Sequence, residues 1–320
     1  MPPGPASAAA ARPSAPDSVP FSAAPCAALA AHPLLERLQR QARRVLQPCD
    51  AGQMAWHVWG QAGAGVPLVL LHGGSGSWTH WARNIEALVA SGRQVWAADM
   101  PGFGASDAPA GVVDPPLLAE LMAQALQALF GPRGCDLVGF SLGGLVAGLL
   151  LARQPQRARQ LVLVGAPAMG VVPQRPYALR GWRHLPPERQ DAVHRYNLAE
   201  LMLADAALID ADDGLALVLH RANVQRDRLP RRRPATPDAL ARALPALSCP
   251  VHAIYGRSDA LYRQWITALP QAFAVAPGFT GLSFIEQAGH WVAFEQPQAF
   301  VAVLLKVLGD SQRQPMGRSY

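Results

Sequence analysis

The segment from Asp136 to Gly144 constrains this chain more than any other. Leu137 and Val138 lead through Gly139 and Phe140 into Ser141, and Leu142, Gly143 and Gly144 follow. The run reads as a buried strand, a sharp turn, and a helix of small residues that reaches Arg153. Such a turn lifts one side chain clear of the backbone. Glycines two before and two after the serine leave room for the bend and for close packing beneath it. Gly and Ser are common, so G-x-S-x-G alone says little. The strand before it and the helix after it make Ser141 a candidate nucleophile.

A serine hydroxyl needs a base to take its proton and a third group to orient that base. Where the nucleophile sits on a strand–turn–helix, the acid and then the histidine follow it in the chain. His252 lies inside the apolar run Val251-His252-Ala253-Ile254-Tyr255 and is expected to point into sheet packing. His290 follows the strand-like run Leu282-Ser283-Phe284-Ile285, in a loop on the side where parallel sheets gather active sites. It is the expected base. Asp191, Asp205, Asp210, Asp212, Asp213, Asp227, Asp238 and Asp259 are the acids considered between them. Of these, Asp259 follows a clear strand and is the expected orienting acid.

Attack on a carbonyl builds negative charge on oxygen, which preorganised amides must meet. One is expected from Leu142, at a helix N-terminus where amides are unpaired. The second is expected from the loop after the apolar strand 66–71, His72-Gly73-Gly74-Ser75-Gly76-Ser77-Trp78, with Gly74 favoured and Ser75 as the neighbouring alternative.

With these motifs in this order, the chain resembles the α/β-hydrolase family from about Trp56 to Val307. The resemblance rests on the His72-Gly73-Gly74 loop, the segment from Asp99 to Asp107, the Gly139–Gly143 elbow, Gly256-Arg257-Ser258-Asp259, and Gly289-His290-Trp291. It implies an α/β fold with a mainly parallel central sheet, flanking helices and an inserted helical lid. It also implies that Asp99 and Asp107 shape a loop and take no part in catalysis. Within the family the chain looks like the lid-bearing esterases and the hydrolases that cleave carbon–carbon bonds in ring-fission products. Trp291 matches the second group, as does Arg221, where those enzymes carry a lid arginine that meets an acidic substrate. Phe140 stands where they often carry Asn, and it cannot hydrogen-bond a dienol–keto end. An ester or related acyl bond of a small, largely apolar substrate is therefore the first reading, and carbon–carbon hydrolysis the second. A catalytically silent binding protein on the same fold is a third, and acyl transfer to an alcohol stays open. Ser75, Phe140, Arg221 and Trp291 are the expected substrate contacts. Members that open epoxides or remove halide carry a carboxylate at the elbow, so Ser141 points to an acyl-enzyme.

Composition agrees. The chain has 320 residues, half of them hydrophobic, enough for two average domains or for one large α/β domain with an insertion. Strands are predicted near 54–59, 66–72, 94–99, 135–140, 160–165, 250–255 and 282–286, and helices near 34–46, 78–91, 115–130, 142–153 and 297–308. Residues 1–33 are Ala/Pro-rich with almost no charge and are expected to be disordered. They make a poor signal peptide. A hydrolase core is assigned to 34–168 and 248–312, a helical lid to 169–247, and a flexible tail to 313–320.

The net charge is +6. Arg226, Arg228, Arg231, Arg232 and Arg233 account for much of the local excess, but no aromatics interleave them and no recognition motif accompanies them. They are read as a solvated lid surface, with no nucleic-acid partner. The uncharged run 137–152 is too short to span a membrane, and none is expected as a partner. Cys26, Cys49, Cys135 and Cys249 form no C-x-x-C pair or disulfide framework, which fits a reducing cytoplasm. The histidines show no metal-ligand spacing, and no glycine loop with a lysine could cradle phosphate. No metal and no cofactor are expected. A small-molecule substrate is.

Overall fold

The computed structural model describes residues 32–63, 65–131, 134–229 and 231–310. Among them, eight strands form a single sheet: β1 (Arg43–Cys49), β2 (Gly52–Trp59), β3 (Leu68–Leu71), β4 (Val95–Ala98), β5 (Cys135–Phe140), β6 (Ala158–Val164), β7 (Val251–Gly256) and β8 (Phe279–Ile285). Their order is β1-β2-β4-β3-β5-β6-β7-β8. The β1–β2 and β2–β4 pairs are antiparallel and every other pair is parallel. Parallel strands covered on both faces need apolar residues on both. Every residue of β3, β4 and β5 is buried.

Ten α-helices lie among the described residues: α1 (Pro33–Gln41), α2 (Ile85–Ala90), α3 (Pro115–Phe130), α4 (Leu142–Arg153), α5 (Pro187–Asn197), α6 (Ala211–Gln225), α7 (Ala239–Ala243), α8 (Leu269–Phe273), α9 (Val292–Glu295) and α10 (Pro297–Asp310). Alternate residues along the strands feed two separate cores. On one face Val69, Leu71, Leu137, Leu161, Leu163 and Tyr255 meet α3, α4, α7 and α8 through Met122, Val146, Leu240 and Phe273. On the other, Leu68, Leu70, Val138, Val162 and Ile254 meet α1, α2 and α10 through Leu35, Leu38, Ile85, Leu88, Phe300 and Leu304. Each such side chain contributes roughly 1.5–3 kcal/mol by leaving water. Asp114 caps α3 by accepting the Leu117 amide, and Pro115 fills the first helical position, where no N–H is needed.

Some expectations are corrected. The helix predicted over 34–46 stops at Gln41, and the chain turns into β1, an edge strand. Most of β1 is exposed or half-exposed, and it carries Arg43, Arg44 and Pro48, residues that suit an edge and hide a strand from pattern reading. The helix predicted over 78–91 divides into a 3₁₀ turn (Trp78–Trp81), seeded by Ser77, and α2. His32 and Pro33 open α1 and are ordered, whereas residues 1–31, including Cys26, lie outside the described residues, as does the tail 313–320. Cys135 and Cys249 are buried, and Cys49 half-buried; all three are free thiols.

The segment 169–247 leaves the sheet after β6 and returns at β7, carrying α5, α6 and α7. Among the described residues, no helix is long and apolar enough to cross a membrane.

Candidate active site

β3 pairs with β4 on one side and β5 on the other, so the loops that leave β3 and β5 part in opposite directions. A crevice opens at such a switch point, beyond the carboxyl ends of the strands. The loops after β3, β5, β7 and β8 carry Gly74, Ser141, Asp259 and His290 in turn.

Ser141 follows β5 and occupies the N-cap position of α4 with φ 49° and ψ −118°, a conformation that costs a non-glycine residue on the order of 1–3 kcal/mol. The surroundings hold it there. A Cβ on Gly139 would lie 2.4 Å from the Gly143 carbonyl oxygen, and one on Gly143 2.5 Å from that of Leu71, so the elbow closes only with glycine at both positions. The Ser141 amide donates to the Val164 carbonyl at 2.8 Å, which ties the turn to the neighbouring strand.

The hydroxyl of Ser141 lies 2.9 Å from His290 Nε2. On the other edge of the ring, Nδ1 sits 3.1 and 3.0 Å from the two oxygens of Asp259. A ring nitrogen that faces a carboxylate holds the proton, so Nδ1–H donates and Nε2 is free to accept from the serine. Both partners are buried. The Leu261 amide donates to Asp259 Oδ1 at 2.8 Å and fixes the carboxylate. Gly165, which has φ 53°, gives the pair its space: a Cβ there would lie 3.2 Å from the His290 ring and 3.3 Å from Asp259. His252 is elsewhere, bonded to Thr280 and Ser283 on β8.

The loop expected to supply the second oxyanion donor is held by a histidine that sequence reasoning did not single out. The Met100 amide donates to His72 Nε2 at 2.9 Å, which leaves the proton on Nδ1. Nδ1–H donates to the Gly73 carbonyl at 2.7 Å. In a trans peptide the C=O and N–H point opposite ways, so a fixed Gly73 carbonyl fixes the Gly74 amide. The Gly73 amide is taken by His80 Nδ1 at 3.2 Å. Burial pushes His72 below the usual histidine range and His80 well below it, so both rings stay neutral acceptors. Gly74 and Leu142 face each other: a Cβ on Gly74 would lie 3.9 Å from that of Leu142. Neither amide meets a protein acceptor among the described residues.

Asp99 and Asp107 are tied into loops. Asp99 accepts from the amides of Trp78 and Ala105 at 2.8 Å, and Asp107 from that of Gln53 at 2.8 Å. A cleft of about 670 Å³ opens over Ser141 and His290. Its walls come from the core (Gly74, Phe140, Leu145) and from the segment 169–247 (Val172, Leu201, Met202, Val224).

Two expected substrate contacts are not in this cleft. Arg221 is exposed and pairs with Asp191 at 3.2 Å. On α6 it is His220 that borders the cleft, and the next residue, about 100° further round the helix, faces away. Trp291 is buried, donates Nε1–H to the His80 carbonyl at 2.9 Å and stacks on Phe294. Ser75 and Phe140 do border the cleft. Phe140 is buried against His80 and His290 and forms its wall. The arginine cluster is not a uniformly solvated face either. Arg228 donates to the carbonyls of Gly104 and Ser106, and Arg232 pairs with Asp227 at 2.7 Å beside Ser75. Among the described residues, no group of three or more His, Cys, Asp or Glu is placed to hold a metal ion.

This fold and site are those of a serine hydrolase. The sequence model of the Alpha/beta hydrolase family matches residues 68–303, and the chain belongs to that family. It is 30% identical over 272 residues to a 2-hydroxymuconate semialdehyde hydrolase of Pseudomonas sp. (strain CF600), covering 78% of this chain and 89% of that one. It is 29% identical over 259 residues to a pimeloyl-[acyl-carrier protein] methyl ester esterase of Aeromonas hydrophila, covering 77% and 97%. Among solved structures it is similar to the esterase RhEst1 from Rhodococcus sp. ECU1013, with a TM-score of 0.68, 23% identity, and coverage of 84% of this chain and 98% of that one.

Proposed function

We propose that this protein hydrolyses an ester or related acyl bond of a small, largely apolar substrate through an acyl-enzyme on Ser141. The supporting observation is the unbroken relay from Asp259 through His290 to Ser141, with its 2.9 Å contact at the nucleophile. Ser141 Oγ attacks the carbonyl carbon while His290 Nε2 takes its proton. Asp259 holds the ring and stabilises the imidazolium. The new oxyanion sits between the amides of Gly74 and Leu142. Collapse of the tetrahedral intermediate expels the alcohol, which takes the proton from Nε2. Water then attacks the acyl-enzyme, His290 removes its proton, and the acid leaves with Ser141 restored.

The segment 169–247 serves as the lid in this reading, because it supplies the apolar wall opposite the core. The protein acts on a small molecule in the cytoplasm, with no metal and no cofactor in the steps above. Carbon–carbon hydrolysis is the second reading, and the name of the Pseudomonas relative favours it. The apolar Phe140 before the nucleophile and the outward Arg221 weigh against it. The deciding experiment is labelling with a fluorophosphonate probe and mapping of the modified residue. The label is expected on Ser141, with Ser141→Ala losing both label and turnover of p-nitrophenyl esters. A label elsewhere, or undiminished turnover by the variant, overturns the proposal. Faster turnover of a ring-fission product than of any ester would favour the second reading.

A further inference from the structure

Ser75 follows the expected oxyanion donor and also has a left-handed backbone, with φ 49°. No side chain favours that region without help. Its hydroxyl is held by two residues from the far end of α6 and beyond. Ser75 Oγ donates to Asp227 Oδ2 at 2.5 Å and accepts from Arg232 Nη2 at 3.2 Å. Arg232 Nη1 closes the triangle on the same Asp227 oxygen at 2.7 Å. The other Asp227 oxygen takes the Leu229 amide at 2.9 Å. Arg232 borders the cleft, and a Cβ on Gly74 would lie 3.7 Å from its Nη2.

The anchors are themselves anchored. The Arg228 amide donates to the Gly102 carbonyl at 2.9 Å, and the Arg233 amide to that of Val113 at 2.8 Å. Arg183 donates to the Val224 and Asp227 carbonyls. Arg228 and Arg233 thereby tie Asp227 and Arg232 to the core, while Arg183 braces them from within the inserted segment. Gly74 is a glycine whose amide meets no protein acceptor among the described residues, so its neighbours must hold it. On one side His72 fixes its peptide through the Gly73 carbonyl. On the other, the hold of Asp227 and Arg232 on Ser75 fixes it.

We propose that Asp227 and Arg232 are positioning residues for the oxyanion loop: by pinning Ser75 in its left-handed conformation they hold the Gly74 amide toward the carbonyl oxygen of the substrate. The inference rests on the acyl-enzyme reading above. It makes the inserted segment part of the catalytic apparatus through its hold on one loop, in addition to its place as a wall. Asp227 and Arg232 act through Ser75 and touch no reacting atom.

The test is a double-mutant cycle on Ser75→Ala and Asp227→Ala, with Asp227→Asn and Arg232→Gln alongside, using p-nitrophenyl butyrate. Loss of a whole oxyanion donor costs about 10²–10³ in kcat, and a loosened one is expected to cost about tenfold. Each single variant should lose about tenfold in kcat with KM changed less than threefold. The Ser75→Ala/Asp227→Ala double should be no worse than either single, since both remove one contact. Wild-type kcat in the Asp227 variants overturns the proposal, as do a rise confined to KM or losses that multiply in the double. If Asp227→Ala gives no cooperative thermal transition, Asp227→Asn and Ser75→Ala carry the cycle. The two readings fail separately: wild-type protein that neither turns over the ester nor labels at Ser141 defeats the acyl-enzyme reading, whereas active, labelled wild type beside fully active Asp227 variants defeats only the strap.

Discussion

Glu295 accepts the amide of Gly289 at 2.5 Å, one residue before His290. The same carboxylate takes the amides of Ala204 at 2.7 Å and Asp205 at 3.2 Å, and the Trp291 amide donates to the Met202 carbonyl at 2.8 Å. One buried acid therefore stitches the loop of the proposed base to the segment over the cleft.

Burial pushes the Glu295 carboxyl above the usual carboxylate range, against the pull of the three amides. A folded pKa above the unfolded value means that the folded chain binds the extra proton. The associated stability is fully present below the unfolded pKa of about 4.5 and is lost as pH rises through the folded one. Glu295→Gln keeps an acceptor and removes the charge, so its stability should be flatter with pH across that window. Glu295→Ala leaves three amides without it and should cost about 2–3 kcal/mol at pH 7. Denaturant midpoints at pH 4.5, 6 and 7.5 check both. A Glu295→Gln profile parallel to wild type would refute the assignment.

Asp259→Asn tests the relay from the other end. The asparagine amide can donate to His290 Nδ1, which would move the ring proton to Nε2, the atom required to accept from Ser141. A loss on the order of 10³–10⁴ in kcat is expected with little change in KM. Steady-state kinetics on a p-nitrophenyl ester, beside an unchanged thermal transition, decide it.

What sequence reasoning reached, and what it missed, divides along one physical line. Strands β3, β5 and β7 are buried almost throughout, so continuous apolar runs marked them, and the strained elbow demands glycines at fixed offsets. Expected positions for Ser141, Asp259 and His290 follow from strand ends, the glycine spacing of the elbow and the order of the three along the chain. Side-chain direction does not. Arg221 and His220 are neighbours on α6, and only the register of the helix decides which one borders the cleft. The regular part of α6 begins after Asp212, Asp213 and Gly214, all with positive φ, and its unbroken apolar run Leu215–Leu219 shows no period from which the face of His220 could be read. Trp291 sits beside His290 in the chain yet turns back to His80. The hold of Asp227 on Ser75 spans 152 positions, and no local pattern records it.

The histidines near the cleft should make the protein acid-labile. Burial, with His194 nearby, lowers His220 to about 3, and burial also lowers His72, His80 and His194 below 6.5. The unfolded chain then binds more protons than the folded one. Stability present above about pH 6.5 is lost as pH falls toward the folded values, by up to about 1.4 kcal/mol per pH unit for each fully shifted group. His220 Nε2 is buried without a partner, so its loss forfeits no hydrogen bond there. His220→Leu should therefore be at least as stable as wild type at pH 5 and show a shallower loss between pH 6 and 4. Urea midpoints across that range check the slope. An unchanged slope would place the acid lability elsewhere.

Acyl chain length should be set by the apolar side chains that line the cleft from its two walls. Leu201 and Met202 border it from the inserted segment and Leu145 from the first turn of α4, close to Ser141. Leu201 is half-buried, so a larger ring there can grow into the cleft and leave the closed core on the far side of the sheet untouched. Each methylene that an apolar pocket accepts or refuses is worth roughly 1–3 kcal/mol in kcat/KM. Leu201→Trp is therefore expected to lower the ratio of kcat/KM for a p-nitrophenyl octanoate over an acetate by at least about tenfold, while Ser141 still labels with a small fluorophosphonate. If the ratio is unchanged, the acyl chain leaves the site by another route, and the pocket wall on the α4 side, at Leu145, becomes the place to build the next obstruction.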